Sequence, residues 1–280
     1  MAKSKDMLDE ACQRLVQAVD SSTASKELQH YLKAMARFHR YSWWNSILIW
    51  LQKPDATLVA GYRKWQELGR QVRRGEKGIV ISAPVIRKQK KVDEQPDAEQ
   101  PDAEQPDEVK VLRFRDVYVF DVSQTDGDAL PEVPQWWANR PADEHLLLLK
   151  SRIKAAIERD GINISCIPDL RGVRGASLGG KILILDGDQS VGSLSTLVHE
   201  WTHELQRRNK EGGVGDRAVA EVVAEATAYV VLNYFGIEIP ENGNYIALWS
   251  KGDATLVRHF LHEVKKYSDY ILKAVESGKQ

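Results

Sequence analysis

Hydrophobic residues recur every three to four positions over much of the first third of the chain. This spacing is that of one apolar helix face, and it predicts helices over residues 5–20, 25–38, 42–52 and 62–68. Ser42 is placed to cap the third helix, and Pro54 follows its end. Gly69 ends the fourth. The N-terminal third is therefore expected to be mainly helical.

The pattern then changes to one that is typical of strands. Residues 79–86 are rich in β-branched side chains, and residues 109–122 alternate in character, so the two segments predict a long antiparallel hairpin. Between them, residues 91–108 repeat Glu-Gln-Pro-Asp three times and lack aromatic residues, which predicts a disordered acidic insert. Two interpretations of this insert stay open: neutral decoration, or a weak mimic of a nucleic-acid strand.

The second half of the chain returns to helical periodicity. Residues 131–142 carry prolines and a Trp-Trp pair, which indicates a linker. Beyond it the pattern predicts a helix over 143–159, short strands ending at 182–186, helices over 193–208 and 218–235, and a final helical pair. The predicted fold class is α+β. Its two domains are residues 1–130, with helices and a small antiparallel sheet, and residues 143–280, with a small sheet and the helices of the candidate site.

Charge is distributed unevenly although the formal net charge is only −1. Residues 1–90 contain 17 Lys and Arg against 8 Asp and Glu, a net of +9. Residues 91–110 contain 8 acidic against 2 basic residues, a net of −6. The basic first third favours a polyanionic partner, most naturally nucleic acid.

Two further features limit the possible cellular setting. The two cysteines, Cys12 and Cys166, form no disulfide framework, which fits a reducing cytoplasm. The longest apolar run is too short to span a bilayer, and the N-terminus lacks the apolar core of a signal peptide. We therefore expect a cytoplasmic protein with no membrane partner.

The most specific chemical signal is the sequence His-Glu-Trp-Thr-His at residues 199–203. On a helix, His199 and His203 share one face and can bind one metal ion. Glu200 between them is placed to accept a proton from a water molecule at that ion. The pattern lies on a predicted amphipathic helix, for which Ser190 or Ser193 is a candidate cap.

A third ligand is expected from the next helix. Glu221 and Glu225 lie one turn apart on a segment that is otherwise apolar, where an unpaired charge is costly. We assign Glu221 as the third ligand and Glu225 as the acceptor for the other N–H of a ligand histidine. Zinc is the expected metal, and manganese, cobalt and nickel also suit such a donor set. Two alternatives stay open: a metal that is purely structural, or solvated histidines with carboxylates paired to arginines such as Arg207 and Arg217.

Cations, aromatic rings and an amide are interleaved in the basic third, as is typical of surfaces that bind single-stranded nucleic acid. Trp44 fits the apolar stripe of its helix and is expected in the core. Asn45 is either a base-reading amide or a helix residue bonded to nearby backbone. The candidate DNA-binding residues are Arg40, Tyr41, Trp43, Asn45, Tyr62, Lys64, Trp65, Arg70, Arg73, Arg74 and Lys77.

These motifs together resemble the ArdC-type antirestriction proteins. The N-terminal resemblance is carried by Tyr41-Ser42-x-x-Asn45, by the Tyr62, Trp65 and glycine pattern of residues 59–78, and by residues 119–125. The C-terminal resemblance is carried by residues 196–203, by Glu221-x-x-Ala224-Glu225, and by Tyr245-Ile246-x-x-Trp249.

The resemblance implies a single-stranded-DNA-binding N-terminal domain and a zincin-type metallopeptidase-like C-terminal domain. It also implies carriage on mobile elements and protection of incoming DNA from restriction. By position, His199, His203 and Glu221 match the metal ligands and Glu200 the catalytic base. Tyr245 is a candidate donor to the oxyanion.

Three functions are compatible with these residues. The first is a zinc metallopeptidase that is localised to DNA and cleaves a protein substrate. The second is a protein that coats single-stranded DNA and whose metal is structural. The third is a regulatory peptidase that acts on a repressor, with no DNA function in the basic third.

Overall fold

The computed structural model describes residues 2–17, 21–88, 109–130, 141–209, 217–239 and 254–278. They form an α+β fold, as predicted. The acidic insert, residues 131–140 of the predicted linker, Tyr245 and Trp249 lie outside the described residues, so the predictions made for them stay predictions.

Helices and short strands alternate in the N-terminal part. The helices are α1 (Ala2–Gln17), α2 (Ser21–Arg37), α3 (Trp43–Gln52) and α4 (Tyr62–Glu67). The strands are β1 (Val59–Gly61), β2 (Arg70–Val72), β3 (Ile79–Lys88), β4 (Val109–Asp121) and β5 (Thr125–Gly127). Strands β3 and β4 pair antiparallel, which confirms the predicted hairpin, and the sheet order is β1-β4-β3. Strands β2 and β5 form a separate antiparallel pair.

Helix α3 begins as the sequence predicts and also covers the open edge of β3. Ser42 is its N-cap and accepts a hydrogen bond from the backbone N–H of Asn45. Two turns apart, the side-chain amides of Asn45 and Gln52 each donate to and accept from a β3 backbone group, at Ser82 and Val80 respectively. The two amides thus satisfy backbone groups that an edge strand would otherwise leave unpaired.

The turn after β4 explains residues 119–125 of the family pattern in structural terms. Asp121 is buried, and its carboxylate accepts hydrogen bonds from the backbone N–H groups of Thr57, Leu58 and Ser123. The Gln124 side chain accepts from the Asp121 backbone N–H and donates to the Lys77 carbonyl. These bonds join three chain segments at one end of the sheet.

The C-terminal part combines one small sheet with four described helices. The helices are α5 (Ala142–Arg159), α6 (Val191–Arg208), α7 (Arg217–Tyr234) and α8 (Ala254–Glu276). The strands are β6 (Asn163–Ile167), β7 (Gly175–Ser177) and β8 (Lys181–Leu185). The order is β6-β8-β7, with β6 parallel and β7 antiparallel to β8, so β7 is an edge strand of the described sheet.

Buried residues from both parts of the chain form one hydrophobic cluster. Helix α2 packs against α7, and α1 packs against α8. The Arg258 guanidinium of α8 donates to the Asp9 carboxylate of α1. The division into two domains stays a prediction, and the two parts share an extensive helical interface. Within the described ranges, no helix combines the length and apolarity that a membrane span requires.

Candidate metal centre

Helix α6 places the two histidines on the face opposite to its buried side. Leu194, Leu197, Val198, Trp201 and Leu205 are buried on the core side. The Trp201 indole donates to the Asp160 carboxylate at 2.9 Å, and the Tyr270 hydroxyl donates to the same carboxylate at 2.5 Å. Because Asp160 ends α5 and Tyr270 lies on α8, this contact fixes the rotation of α6 against two neighbouring helices.

Three donor atoms converge beside α6. His199 Nε2 and His203 Nε2 lie 3.0 Å apart, and Glu221 Oε2 lies 3.3 Å from each. Donor atoms that surround a tetrahedral zinc ion at about 2.0–2.1 Å are spaced about 3.3 Å apart. The triangle therefore has the size and the donor chemistry of three ligands to one ion, with one position left open. Within the described residues, this is the one cluster of that kind.

Each histidine also has a partner for its other ring nitrogen. Glu225 Oε2 lies 3.4 Å from His199 Nδ1, the contact expected from its assignment as the acceptor for the other N–H of a ligand histidine. Gln206 Oε1 lies 2.9 Å from His203 Nδ1, and the Gln206 amide donates to the Ala220 carbonyl of α7. Both contacts favour the tautomer in which Nδ1 carries the proton and Nε2 is free to bind metal.

Glu200 lies beside this triangle in a partly buried setting. Burial raises the pKa of its carboxyl group, and the charge of Glu221 raises it further. The nearby histidines act in the opposite direction but do not outweigh these effects. Burial of the His199 ring acts to lower its pKa. The hydrogen bond with Glu225 and the charges of the three glutamates outweigh this and leave the His199 pKa raised. The pKa of the Glu200 carboxyl group and that of the His199 imidazole are thus both raised beside the donor triangle.

A cleft of about 740 Å³ opens onto this centre. Its floor is α6 from Ser190 to Glu200, one wall is residues 173–175, and Glu225 and Ile239 lie on the other side. At Gly175 the edge strand approaches α6 so closely that a Cβ atom would lie 2.4 Å from Thr196 Cγ2 and 3.1 Å from Glu200 Cγ. Glycine is therefore required where β7 passes Glu200.

The turn between β7 and β8 is anchored to the same helix. Glu204 is 2% exposed, and it accepts hydrogen bonds from Ser177 Oγ and from the backbone N–H groups of Gly179 and Gly180. Arg207 completes the contact with an ion pair at 3.1 Å. Arg207 therefore pairs with Glu204, whereas Arg217, the other arginine considered as a partner, has its Nε 4.0 Å from Glu221 Oε1.

The structure corrects part of the predicted DNA-binding set. Trp65 is 0% exposed and donates to the Phe120 carbonyl, so its ring belongs to the core. Both ends of the Asn45 amide are bonded to Ser82 of β3, so it is not available to read a base. The Tyr41 hydroxyl donates to the Val59 carbonyl and its ring is half-buried. Trp43 packs against Trp44 and is half-buried.

The predicted cations differ in their availability. Arg70 donates to Thr125 and to the carbonyls of Gly127 and Asp128, and Arg73 pairs with Glu76 and Asp126. Both arginines therefore hold the β2–β5 pair in place. The exposed members of the predicted set are Arg40, Tyr62, Lys64, Arg73, Arg74 and Lys77, and of these Arg73 is held by Glu76 and Asp126.

Two aromatic residues that the sequence did not single out are well exposed. Phe114 and Tyr118 of β4 are 50% and 57% exposed and four residues apart, so they lie on one face of the strand. The Tyr62 and Phe120 rings are 6.4 Å apart, and Tyr118 and Phe120 flank Gly78, where both would lie within 3.2 Å of an added Cβ atom. Alternation along β4 was the available signal for these residues. The sequence signal for Gln206 was its amide side chain three residues after His203, a spacing that brings two side chains together on a helix.

Comparisons with known proteins agree with this architecture. Residues 5–120 match the family model described as the N-terminal domain of anti-restriction factor ArdC. A Bacillus anthracis protein described as uncharacterised is 27% identical across 89% of this chain. The match covers 47% of that relative, so the chain spans about half the length of the curated relative it matches.

Two solved structures share the fold over the whole chain. Both are of the antirestriction protein ArdC from the R388 plasmid, one metal-free and one described as Mn(II)-bound. Each is 20% identical and covers 98% of this chain, with TM-scores of 0.57 and 0.55, and 100% and 99% of those chains are matched.

Fold and site together define an α+β protein with a His-His-Glu candidate metal centre on two packed helices. Residues 5–120 match the model of the ArdC N-terminal domain, and the chain has the fold of the ArdC structures. The resemblance inferred from the sequence is confirmed.

Proposed function

We propose that this chain is an antirestriction-type protein of mobile elements that binds single-stranded DNA and cleaves proteins through a zinc-dependent peptidase site. The observation that carries the peptidase proposal is the triangle of His199, His203 and Glu221 with Glu200 beside it. The proposed location is the cytoplasm.

Zinc is proposed because two imidazoles and one carboxylate suit it in number and spacing. Manganese is the alternative that the R388 relative favours, since one of its structures is described as Mn(II)-bound. Cobalt and nickel also suit this donor set. When bound, the metal supplies a Lewis acid that polarises the substrate carbonyl and makes a water molecule more acidic.

The residues of the chain supply the proton transfers. A Glu200 carboxylate oxygen accepts the proton from the attacking water, holds it, and donates it to the nitrogen of the departing amine. The raised pKa of Glu200 suits this role, because the carboxyl group must both accept and release the proton near neutral pH. Glu225 and Gln206 orient the two imidazoles. Tyr245, outside the described residues, stays the proposed donor to the oxyanion.

The decisive substitution is Glu200→Gln, which keeps the shape of the side chain and removes its basicity. Metal-loaded wild-type protein and the variant are incubated with unfolded proteins, with and without single-stranded DNA, and the products are analysed by mass spectrometry. Cleavage by the wild type alone supports the proposal. Equal bound metal in both proteins with no cleavage by either would remove its support.

The proposed DNA surface is an aromatic strip formed by Tyr62, Phe114, Tyr118 and Phe120. Exposed rings provide stacking platforms for unpaired bases, and neighbouring cations neutralise the phosphates. The exposed cations close to the strip in sequence are Arg63, Lys64, Arg74 and Lys77. Affinity for a single-stranded oligonucleotide that does not fall as the salt concentration rises would contradict this proposal.

A second candidate is a protein that coats single-stranded DNA and uses its metal only to join α6 to α7. The location of the family match favours it, since the matched residues 5–120 exclude the metal centre. This candidate predicts that Glu200→Gln protects DNA from restriction as well as the wild type does. Lost protection with unchanged DNA affinity would argue against it. In the third candidate, a peptidase that acts on a repressor, substitutions in the aromatic strip leave function unchanged.

A further inference from the structure

The cleft beside the metal centre contains a cation at the end distant from His199. Arg174 lines the cleft together with Ser190 and Gly192. Gly192 and His199 are seven positions apart on α6, which corresponds to about 10 Å along the helix axis. An extended peptide advances about 3.3 Å per residue, so this distance corresponds to about three residues.

The arginine is seated directly on the first turn of α6. A Cβ atom on Gly192 would lie 1.9 Å from Arg174 Nη1 and 3.2 Å from Ser190 Oγ. A larger residue at position 192 would therefore displace the guanidinium group from this place, whereas glycine leaves room for it. Ser190 occupies the N-cap position, but its side chain makes no capping hydrogen bond. The hydroxyl and the guanidinium group thus converge on one point of the cleft floor.

The charges along the cleft have opposite signs at its two ends. Glu200 and Glu225 lie at the metal end, and Glu225 contacts His199. Within the described parts of the chain, Arg174 makes no hydrogen bond through its side chain and forms no ion pair. Asp188 is the nearby acid, and the pKa of its carboxyl group is lowered by the hydrogen bond from Ser190 and, less strongly, by the charge of Arg174. Because Arg174 is exposed and its side-chain N–H donors make no hydrogen bond within the described residues, the guanidinium group is available to an anionic group in the cleft.

We propose that Arg174 is a specificity-determining residue, and that the cleft selects peptides with a carboxylate side chain about three residues from the bond at the metal. This inference rests on the proposed peptidase function and names its substrate class. A guanidinium group matches a carboxylate with two parallel N–H donors, which a glutamine or lysine side chain cannot accept equally well. The Ser190 hydroxyl offers a further donor.

The test measures binding and cleavage separately. Fluorescent alanine-based peptides carry a hydroxamate at either end and Glu, Gln or Lys at the third residue from it. Their affinities are measured by fluorescence anisotropy for metal-loaded wild type, Arg174→Ala and Arg174→Glu. Lys181→Ala is the matched control, because Lys181 is an exposed cation of the same sheet that does not line the cleft. The same variants are then given a mixed peptide library, and the cleavage products are sequenced.

We expect the wild type and the control to bind the Glu peptide about fivefold more tightly than the Gln peptide, the range of a solvent-accessible ion pair. Arg174→Ala removes this preference, and Arg174→Glu transfers it to the Lys peptide. An equal preference in wild type and Arg174→Ala, or no preference in wild type, overturns the inference. The inference is also overturned if a single-stranded oligonucleotide displaces the peptides from wild type but not from Arg174→Ala. In that case the anionic group that Arg174 binds is a phosphate and not a carboxylate. Preference without cleavage of any peptide retains the inference and contradicts the peptidase function.

Discussion

The Gln206 carboxamide joins the second candidate ligand to the helix that carries the third. Its oxygen lies 2.9 Å from His203 Nδ1, and its nitrogen donates to the Ala220 carbonyl, one residue before Glu221. One side chain therefore orients the imidazole and also sets the distance between α6 and the first turn of α7. Glu225, which lies on α7 like Glu221, contacts His199 Nδ1 and orients that imidazole.

Replacing Gln206 with leucine is expected to weaken metal binding about tenfold to a hundredfold, the usual effect of losing a partner of a ligand histidine. The affinity is measured by competition with a chromophoric chelator. The metal affinity of Gln206→Glu is expected to lie between those of wild type and Gln206→Leu. The glutamate still accepts a hydrogen bond from His203 but no longer donates one to the Ala220 carbonyl. Gln66→Leu, on exposed α4, is the control. Equal affinities of Gln206→Leu and wild type would contradict this role.

Gly175→Ala is expected to reduce peptide cleavage much more than it reduces metal binding. The added Cβ would lie 2.4 Å from Thr196 Cγ2 and 3.1 Å from Glu200 Cγ, so β7 or Glu200 must move. Overpacking of this kind costs about 1–3 kcal/mol in the free energy of unfolding. Gly61→Ala has open space around its Cβ and serves as the control for urea unfolding and for cleavage. Unchanged cleavage in Gly175→Ala would show that the strand tolerates the methyl group.

Asp160→Ala is expected to lower the free energy of unfolding by about 1–3 kcal/mol, because the buried Trp201 N–H loses its acceptor. A double-mutant cycle with Trp201→Phe separates this bond from the contact with Tyr270. The losses of unfolding free energy caused by Asp160→Ala and Trp201→Phe should sum to more than the loss in the double variant. Full additivity in urea unfolding would mean that the two side chains do not stabilise each other.

The stability of the N-terminal part should depend on pH through Asp121. Burial acts to raise the pKa of this carboxyl group, but hydrogen bonds from Ser123, Thr57 and Leu58 outweigh it and hold the pKa below its usual value. A lowered folded-state pKa adds stability above the unfolded-state pKa of about 3.9, and this contribution is lost as the pH falls through the folded-state value. Asp121→Asn should therefore be less stable than wild type at pH 7, with a difference that shrinks below about pH 4. A constant difference across that range in urea unfolding would rule out this source.

Substitutions in the aromatic strip should weaken binding to single-stranded DNA. Tyr118→Ala and Phe114→Ala each remove an exposed ring, and stacking contributes about 1–3 kcal/mol per base. Fluorescence anisotropy with a labelled oligonucleotide measures the loss. Leu147→Ala, which removes an equally exposed hydrophobic side chain from α5, is the control. Losses no larger than that of the control would place the DNA surface elsewhere.

Local pattern was sufficient for most of the elements and for half of the metal centre. Periodicity of 3.6 predicted α3, α6 and α7 to within two residues, and alternation predicted the hairpin of β3 and β4. The spacing of His199 and His203 fixes their common face, because helix geometry alone decides it. The same holds for Glu221 and Glu225 on α7.

Only the tertiary structure decided which elements meet and which side chains face the solvent. Composition suggested that Trp65 and Asn45 contact DNA, yet Trp65 is enclosed by the sheet and Asn45 covers the edge of β3. Alternation along β4 places Tyr118 on the same face as Phe114, but whether that face is exposed depends on what packs above the strand. The approach of β7 at Gly175 and the position of Arg174 over Gly192 likewise join segments distant in sequence. The sequence determined the periodic elements and the chemistry of the ligands, and long-range packing determined the cleft in which that chemistry is available.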